Sequence, residues 1–381
     1  MNVRLWGLIV CFTLAQLPIA MRPLQVTLLG VDRAGGFGVA GLAGGAAAAG
    51  MAVTAPWWAR ALSRFGDGRV LLVSSGFFLT AQVVLAIVHR PASFIAVAAL
   101  SGLCTPPVSS SLRSMLPCLV AKEELTRVYT VNAVALEIVY IGGPLWVTGT
   151  IALTGAGPAL VASTVTGVTA TAFGAALAPR EVPRARLGGP SLVTVAAVRT
   201  LGGSYLAYWV CMGAMWVLVP AFAEDAGSAG QAGLLIAVWS AGSFAGGLFF
   251  AARTPAAPVR ASYLWLLTAL AVTSLALTLP ATIAAMAVAI AVFGLALAPW
   301  LAVSDRLAAA AAGERSGELY GWLTTVGQIG SAVGSALAGA LGEHHGDGPA
   351  FLLVTAALVI GLAIAVCGRR TLPSIQRSRR N

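Results

Sequence analysis

Two charged side chains lie deep inside apolar stretches of this 381-residue chain, and any chemistry it performs turns on them. Glu137 stands in YTVNAVALEIVYIGGPLWVTG, residues 129–149, a run otherwise free of charge and long enough to cross a bilayer as a helix. Arg22 stands in LPIAMRPLQVTLLG near the N-terminus. Burying a charge at bilayer depth costs about 2.5–3.5 kcal/mol or more, so such groups face a bundle interior or a watery cavity and find a partner. Two readings of Glu137 follow, a proton carrier or a hydrogen-bonded brace between helices. For Arg22 they are partnership with Glu137, or snorkelling to the outer headgroups and capping of a kink at Pro23. Counting along the two spans puts Arg22 about 10 Å farther out than Glu137, a gap that two long side chains nearly close. A pair of this kind could be switched by the movement of a gate. HExxH is absent, no histidine falls inside an apolar run and no acids cluster, which excludes a membrane metalloenzyme and implies no metal and no cofactor.

These residues need a membrane scaffold, and the composition supplies one. The chain is 58% hydrophobic and 9% charged, with a mean hydropathy of +0.88; ordinary globular chains carry about 25% charged residues. A net charge of +10 raises the question of nucleic acid. The basic residues lie in short loops between apolar spans instead of on one soluble face, so the anionic inner leaflet is their partner and nucleic acid is not. Five cysteines lack metal-ligand spacing and read as small hydrophobes. The N-terminal run MNVRLWGLIVCFTLAQLPIA resembles a signal peptide, yet it continues to about Gly30 and reads as an uncleaved first helix.

Apolar windows place spans at about 5–29, 38–59, 69–88, 92–112, 127–149, 155–178, 197–222, 230–252, 261–279, 282–303, 317–341 and 349–368. The expected fold is therefore an all-α polytopic membrane protein of twelve helices in two six-helix bundles. Its parts are residues 1–178, a cytoplasmic linker 179–196, a second bundle 197–368 and a basic tail 369–381. With both termini in the cytoplasm, nearly all of the 23 basic residues fall inside, leaving Arg33 and Arg90 in outer loops. The two halves match at a nearly constant offset. Met21 pairs with Met212, Gly41 with Gly233, Pro107 with Pro299, Tyr129 with Tyr320 and Gly143 with Gly334, while Glu137 meets the neutral Gln328. Small-residue ladders at Gly41/Gly45, Gly242/Gly246 and Gly330/Gly334 suit close helix packing.

The loop after the second span, ARALSRFGDGR from Ala59 to Arg69, resembles the Gly-x-x-x-Asp-Arg-x-Gly-Arg-Arg signature of the major facilitator superfamily. Arg64 and Gly66 match it and Arg69 supplies a further cation; Ala59 and Ser63 replace the first glycine and the aspartate, and Asp67 offers a different ion pair. Gly143-Pro144 resembles the Gly-Pro of the family's antiporter motif, although Val139 and Val134 stand where other glycines belong and no arginine sits in the fourth span, where Ala98 lies.

That resemblance implies a secondary transporter of drug or metabolite efflux type, with a midplane cavity lined by the first, second, fourth and fifth spans and their counterparts. Candidate substrate contacts are Gln25, Asn132, Tyr140, Tyr208, Trp216 and Gln328, with Gln16 and Tyr205 beside them, and Arg64, Gly66, Asp67, Arg69, Gly143 and Pro144 form the gate. Glu137, with Arg22, would bind a proton from outside and release it inside in exchange for outward-bound substrate. So few charges suit a lipophilic or weakly cationic cargo more than a sugar. Proton-driven uptake and a non-transporting sensor are the other readings. The expected setting is a bacterial cytoplasmic membrane, the expected state a monomer, and the partners are protons, a small molecule and lipid.

Overall fold

Apolar runs rich in Ala, Leu and Gly make helices, and proline and glycine decide where those helices stop. The computed structural model describes residues 3–120, 122–179, 194–252, 258–312, 316–345 and 347–373, and no strand occurs among them. The centre of the expected linker and the end of the basic tail lie outside the described residues. Two compact units emerge, Met1–Arg186 with Ala232–Ala237, and Leu187–Gln231 with Val238–Asn381.

In the first unit the helices are α1 (Val3–Ala15), α2 (Leu17–Ala34), α3 (Phe37–Phe65), α4 (Asp67–Ile87), α5 (Pro91–Leu103), α6 (Val108–Leu119), α7 (Lys122–Thr154) and α8 (Ala156–Leu177). After them come α9 (Ala196–Asp225), α10 (Ala232–Ala252), α11 (Val259–Leu275), α12 (Ile283–Gly294), α13 (Leu297–Ala312), α14 (Ser316–His345), α15 (Asp347–Ala350) and α16 (Leu352–Cys367). Among the described residues, ten segments are long and apolar enough to cross a membrane, and in chain order they correspond to the first ten expected spans. The eleventh expected span falls in α14 and the twelfth in α16, a shorter apolar helix of 16 residues.

Three of the first ten expected spans are each split into two α-helices. The first breaks at Gln16, just before Pro18; the fourth breaks over Cys104–Pro107; the tenth breaks at Leu295-Ala296, ahead of Pro299. Proline has no N–H and its ring clashes with the carbonyl four residues back, so a helix cannot run through Pro106-Pro107 unbroken. Freed backbone groups must find partners inside the protein, since lipid has none to give. Trp58 accordingly donates its indole N–H to the Leu103 carbonyl at 3.2 Å. At the two ends of the first span, Arg4 Nε reaches the Leu177 carbonyl that ends α8 (3.0 Å), and an Arg33 N–H reaches the Ala86 carbonyl in the last turn of α4 (2.6 Å). Cations at helix C-termini also meet the favourable end of the helix dipole.

The internal repeat is visible as geometry within each unit. In the first, a Cβ on Gly102 would lie 2.0 Å from the Ala47 carbonyl oxygen, and one on Gly50 2.5 Å from that of Ala99. In the second, a Cβ on Gly294 would lie 2.7 Å from the Trp239 carbonyl, and one on Gly242 2.5 Å from that of Ala291. All four pairs are related by one offset of 192 residues, so α3 crosses α5 as α10 crosses α12. The Gly143–Gly334 match behaves alike: Gly143 admits Met21 of α2, and Gly334 admits α9 at Val210 to Ala214, around Met212.

Gly66 joins α3 to α4 at φ 82° and ψ 156°, a conformation essentially reserved for glycine, while its N–H bonds the Leu62 carbonyl at 3.1 Å. Gly66→Ala is expected to lower stability by about 1–3 kcal/mol. Asparagine should not rescue it, because this ψ lies outside the left-handed region asparagine tolerates. Thermal unfolding of the two variants in detergent checks this; an unshifted Gly66→Ala midpoint would overturn the strain argument.

Candidate functional site

The first unit brings its polar side chains together at the helix breaks. Arg22 on α2 is 5% exposed; one terminal N–H of its guanidinium donates to Thr105 Oγ1 at 2.6 Å, inside the α5–α6 break, and the other approaches Met51 Sδ at 3.6 Å. Thr105 passes its own proton to the Ser101 carbonyl at 3.1 Å. One and a half turns earlier, Gln16 in the α1–α2 break accepts from Ser109 Oγ at 2.7 Å. The span break of one helix is therefore stitched to that of another.

Glu137 is half-buried on α7. Six residues separate it from Gly143, whose contact with Met21 fixes the register of α7 against α2, so Glu137 sits about 9 Å from that contact toward the Lys122 end. Among the described residues no ion pair joins it to Arg22, which is engaged by Thr105 and Met51. Tyr140, three residues on, shares its helix face and is partly exposed. Asn132, five residues before Glu137, is 8% exposed, and its Oδ1 has no hydrogen-bond partner among the described residues. Gln25 is committed elsewhere: its amide N–H donates to Ser163 Oγ of α8 at 2.8 Å, and the residue is buried.

At the gate motif, Asp67 opens α4, where a carboxylate suits the positive end of the helix dipole. It is buried and accepts a 2.5 Å hydrogen bond from Ser111 of α6. Arg64 lies exposed with its guanidinium 5.3 Å from the Phe65 ring centroid, and Arg69 is exposed on the first turn of α4. Pro144 sits inside an uninterrupted α7, and its carbonyl accepts from Thr148 at 2.9 Å.

The second unit concentrates aromatic rings. Trp300 on α13 is fully buried, stacked on Tyr208 of α9 at 4.5 Å and on Tyr263 of α11 at 5.6 Å, with Tyr205 at 6.3 Å. Trp209 closes the row edge-on to Tyr208 and against Gly327 of α14, next to Gln328, which is half-buried. Tyr263 and Ser204 share a hydrogen bond. Trp216 packs separately on Trp239 at 5.7 Å. Among the described residues, the buried indole N–H groups of Trp209, Trp239 and Trp300 have no hydrogen-bond partner. Trp300, Tyr263 and Trp209 are absent from the residues singled out by sequence; the available signal was a tryptophan in mid-span, away from the membrane interfaces where tryptophan concentrates.

Over residues 201–380 the chain matches the family model described as Major Facilitator Superfamily. No curated protein matches it in sequence. In fold it is similar to a bacterial homologue of the human lysosomal transporter Spinster, solved inward-facing and unoccupied, with a TM-score of 0.74 at 13% identity over 97% of this chain and 96% of that one. It is similar also to the human organic anion transporter MFSD10, with a TM-score of 0.67 at 16% identity over 96% and 100% of the two chains. The nucleoside transporter NupG gives a TM-score of 0.72 at 12% identity over 97% and 100%. The family model thus matches the second part of the chain, and the fold of these solved transporters is shared over nearly its whole length.

Proposed function

We propose that the protein is a secondary active transporter that exports a small, fairly lipophilic molecule by alternating access, driven by protons carried on Glu137. The observation that carries this reading is a half-buried carboxylate in the middle of an apolar span with no ion-pair partner among the described residues. Such a group is costly at that depth unless it cycles between protonated and charged forms as access changes. Its counterpart in the repeat is Gln328, so packing of the shared scaffold does not require an acid there. Gly143-Pro144 favours export over uptake. Arg22 belongs to the same machinery as the buried positive charge of the first unit. Asn132 and Tyr140 in the first unit, and Tyr208, Trp216 and Gln328 in the second, contact the substrate, whereas Gln25 serves the α2–α8 contact. Arg64, Gly66, Asp67 and Arg69 shape the gate. The site of action is a bacterial cytoplasmic membrane with both termini inside, and the working unit is a monomer.

The names of the similar structures span a lysosomal transporter homologue, an organic anion transporter and a nucleoside transporter, and so do not choose a cargo. The test is proton movement in everted vesicles loaded with the protein, as lipophilic ions and small metabolites are added in turn. Proton release on addition of a compound supports export by exchange. Proton uptake into the same compartment as the compound on reversed gradients would replace export with symport, and binding without flux would leave a sensor.

A further inference from the structure

Arg22 carries a full charge that no acid among the described residues pairs with. Its two contacts, Thr105 Oγ1 and Met51 Sδ, are both neutral. The ion pair of Arg33 with Asp32 lies at the far end of α2. Asp67 lies at the start of α4, bonded to Ser111, and Glu137 stands about 10 Å along the helix axis from Arg22.

Helix dipoles do not make up the difference. The C-terminus of α5 presents partial negative charge to Arg22, but the N-terminus of α6 presents partial positive charge across the same break. One such end is worth about 0.3–1 kcal/mol, up to about 2 in buried settings, against at least about 2.5–3.5 kcal/mol for an arginine at bilayer depth. Trp58 already occupies the last carbonyl of α5, and no side chain caps α6. The break therefore places a guanidinium beside a helix N-terminus that no side chain caps, a combination that attracts anions.

Comparison within the chain separates this cluster from the scaffold. At the offsets that match the two halves, Arg22 corresponds to Gly213, Thr105 to Leu297 and Met51 to Ser243. The second unit builds the same crossings with none of the three residues, so neither the α2 position nor the break needs a cation to fold.

We propose that Arg22 is an anion-binding residue and that the transported molecule is a lipophilic monoanion, a carboxylate on an apolar body, which supplies the missing counter-charge. This rests on the transporter reading above and sharpens its cargo, excluding the weakly cationic class. One guanidinium offsets one charge, and its planar fork matches the two oxygens of a carboxylate.

The test is calorimetric binding to the full chain in detergent, with 2-naphthoate, its neutral isostere 2-naphthamide and the cation 2-naphthylmethylammonium as probes. Wild type should prefer naphthoate over naphthamide about tenfold or more, as a charge-assisted hydrogen bond implies. Arg22→Gln should erase that preference and Arg22→Lys retain part of it. Thermal unfolding adds a readout independent of binding: Arg22→Met should unfold no lower than wild type, because an uncompensated buried charge has been removed, whereas a purely structural cap would make it unfold lower. Equal binding of naphthoate and naphthamide, preference for the cation, no binding of any probe, or a preference that survives Arg22→Gln would each overturn the assignment. Charge-selective binding without flux in vesicles would leave the anion site standing and remove the transport reading; flux of cations that ignores Arg22 would do the reverse.

Discussion

Glu137→Gln should abolish substrate-driven proton release from everted vesicles while leaving exchange of labelled for unlabelled substrate intact. Glutamine keeps the size and hydrogen-bonding capacity of the side chain but cannot bind and release a proton at any pH of interest. The repeat already tolerates it, since Gln328 occupies the matching place in α14. The side chain is half-buried and in no ion pair among the described residues, so the substitution leaves no orphaned buried cation and the protein should unfold at or above the wild-type temperature. Exchange needs only that the loaded carrier reorient, and net coupled flux needs the proton as well. The two assays therefore divide the roles of this residue. Unchanged proton release in Glu137→Gln would reduce Glu137 to a brace, and loss of exchange along with coupling would make it a substrate contact instead.

Gly102→Ala and Gly246→Ala should be the most damaging single-methyl substitutions in their respective units. A Cβ on Gly102 would meet the Ala47 carbonyl oxygen at 2.0 Å, and one on Gly246 the Leu295 carbonyl oxygen at 1.9 Å. Both obstacles are backbone, which cannot swing aside as a side chain does, so a whole helix must shift. Overpacking of this kind costs about 3 kcal/mol or more, a fall on the order of 6–12 °C in a unit of this size. In lipid, where helices gain little from the hydrophobic effect, close backbone approach is itself what holds the pair together. Gly76→Ala is the control: no atom lies within 4 Å of its Cβ, and alanine is the better helix former. Thermal unfolding of the three variants decides the matter, and a Gly102→Ala midpoint equal to that of Gly76→Ala would sink it.

Sequence alone determined that this is an all-α membrane protein, because runs of some 20 apolar residues have one low-energy form in lipid, with every backbone hydrogen bond internal. It also determined the internal repeat, and it singled out Glu137 and Arg22, since a charge in an apolar run is visible without any coordinates. What a linear reading could not decide is which groups meet. Gln25 read as a substrate contact, but its amide belongs to Ser163, 138 residues away. Arg22 read as a partner for Glu137, but Thr105 lies closer because Pro106-Pro107 open the fourth span beside it. The Ser111 hydroxyl that Asp67 receives comes from a helix 44 residues on, a contact its own loop does not announce. The stacking of Trp300 between Tyr208 and Tyr263 joins three helices and leaves no mark on the spacing of any one of them. Hydropathy is a property of a segment and survives in the sequence, whereas partnership depends on helix rotation and crossing, which are set by where glycine lets backbones touch and proline lets them part.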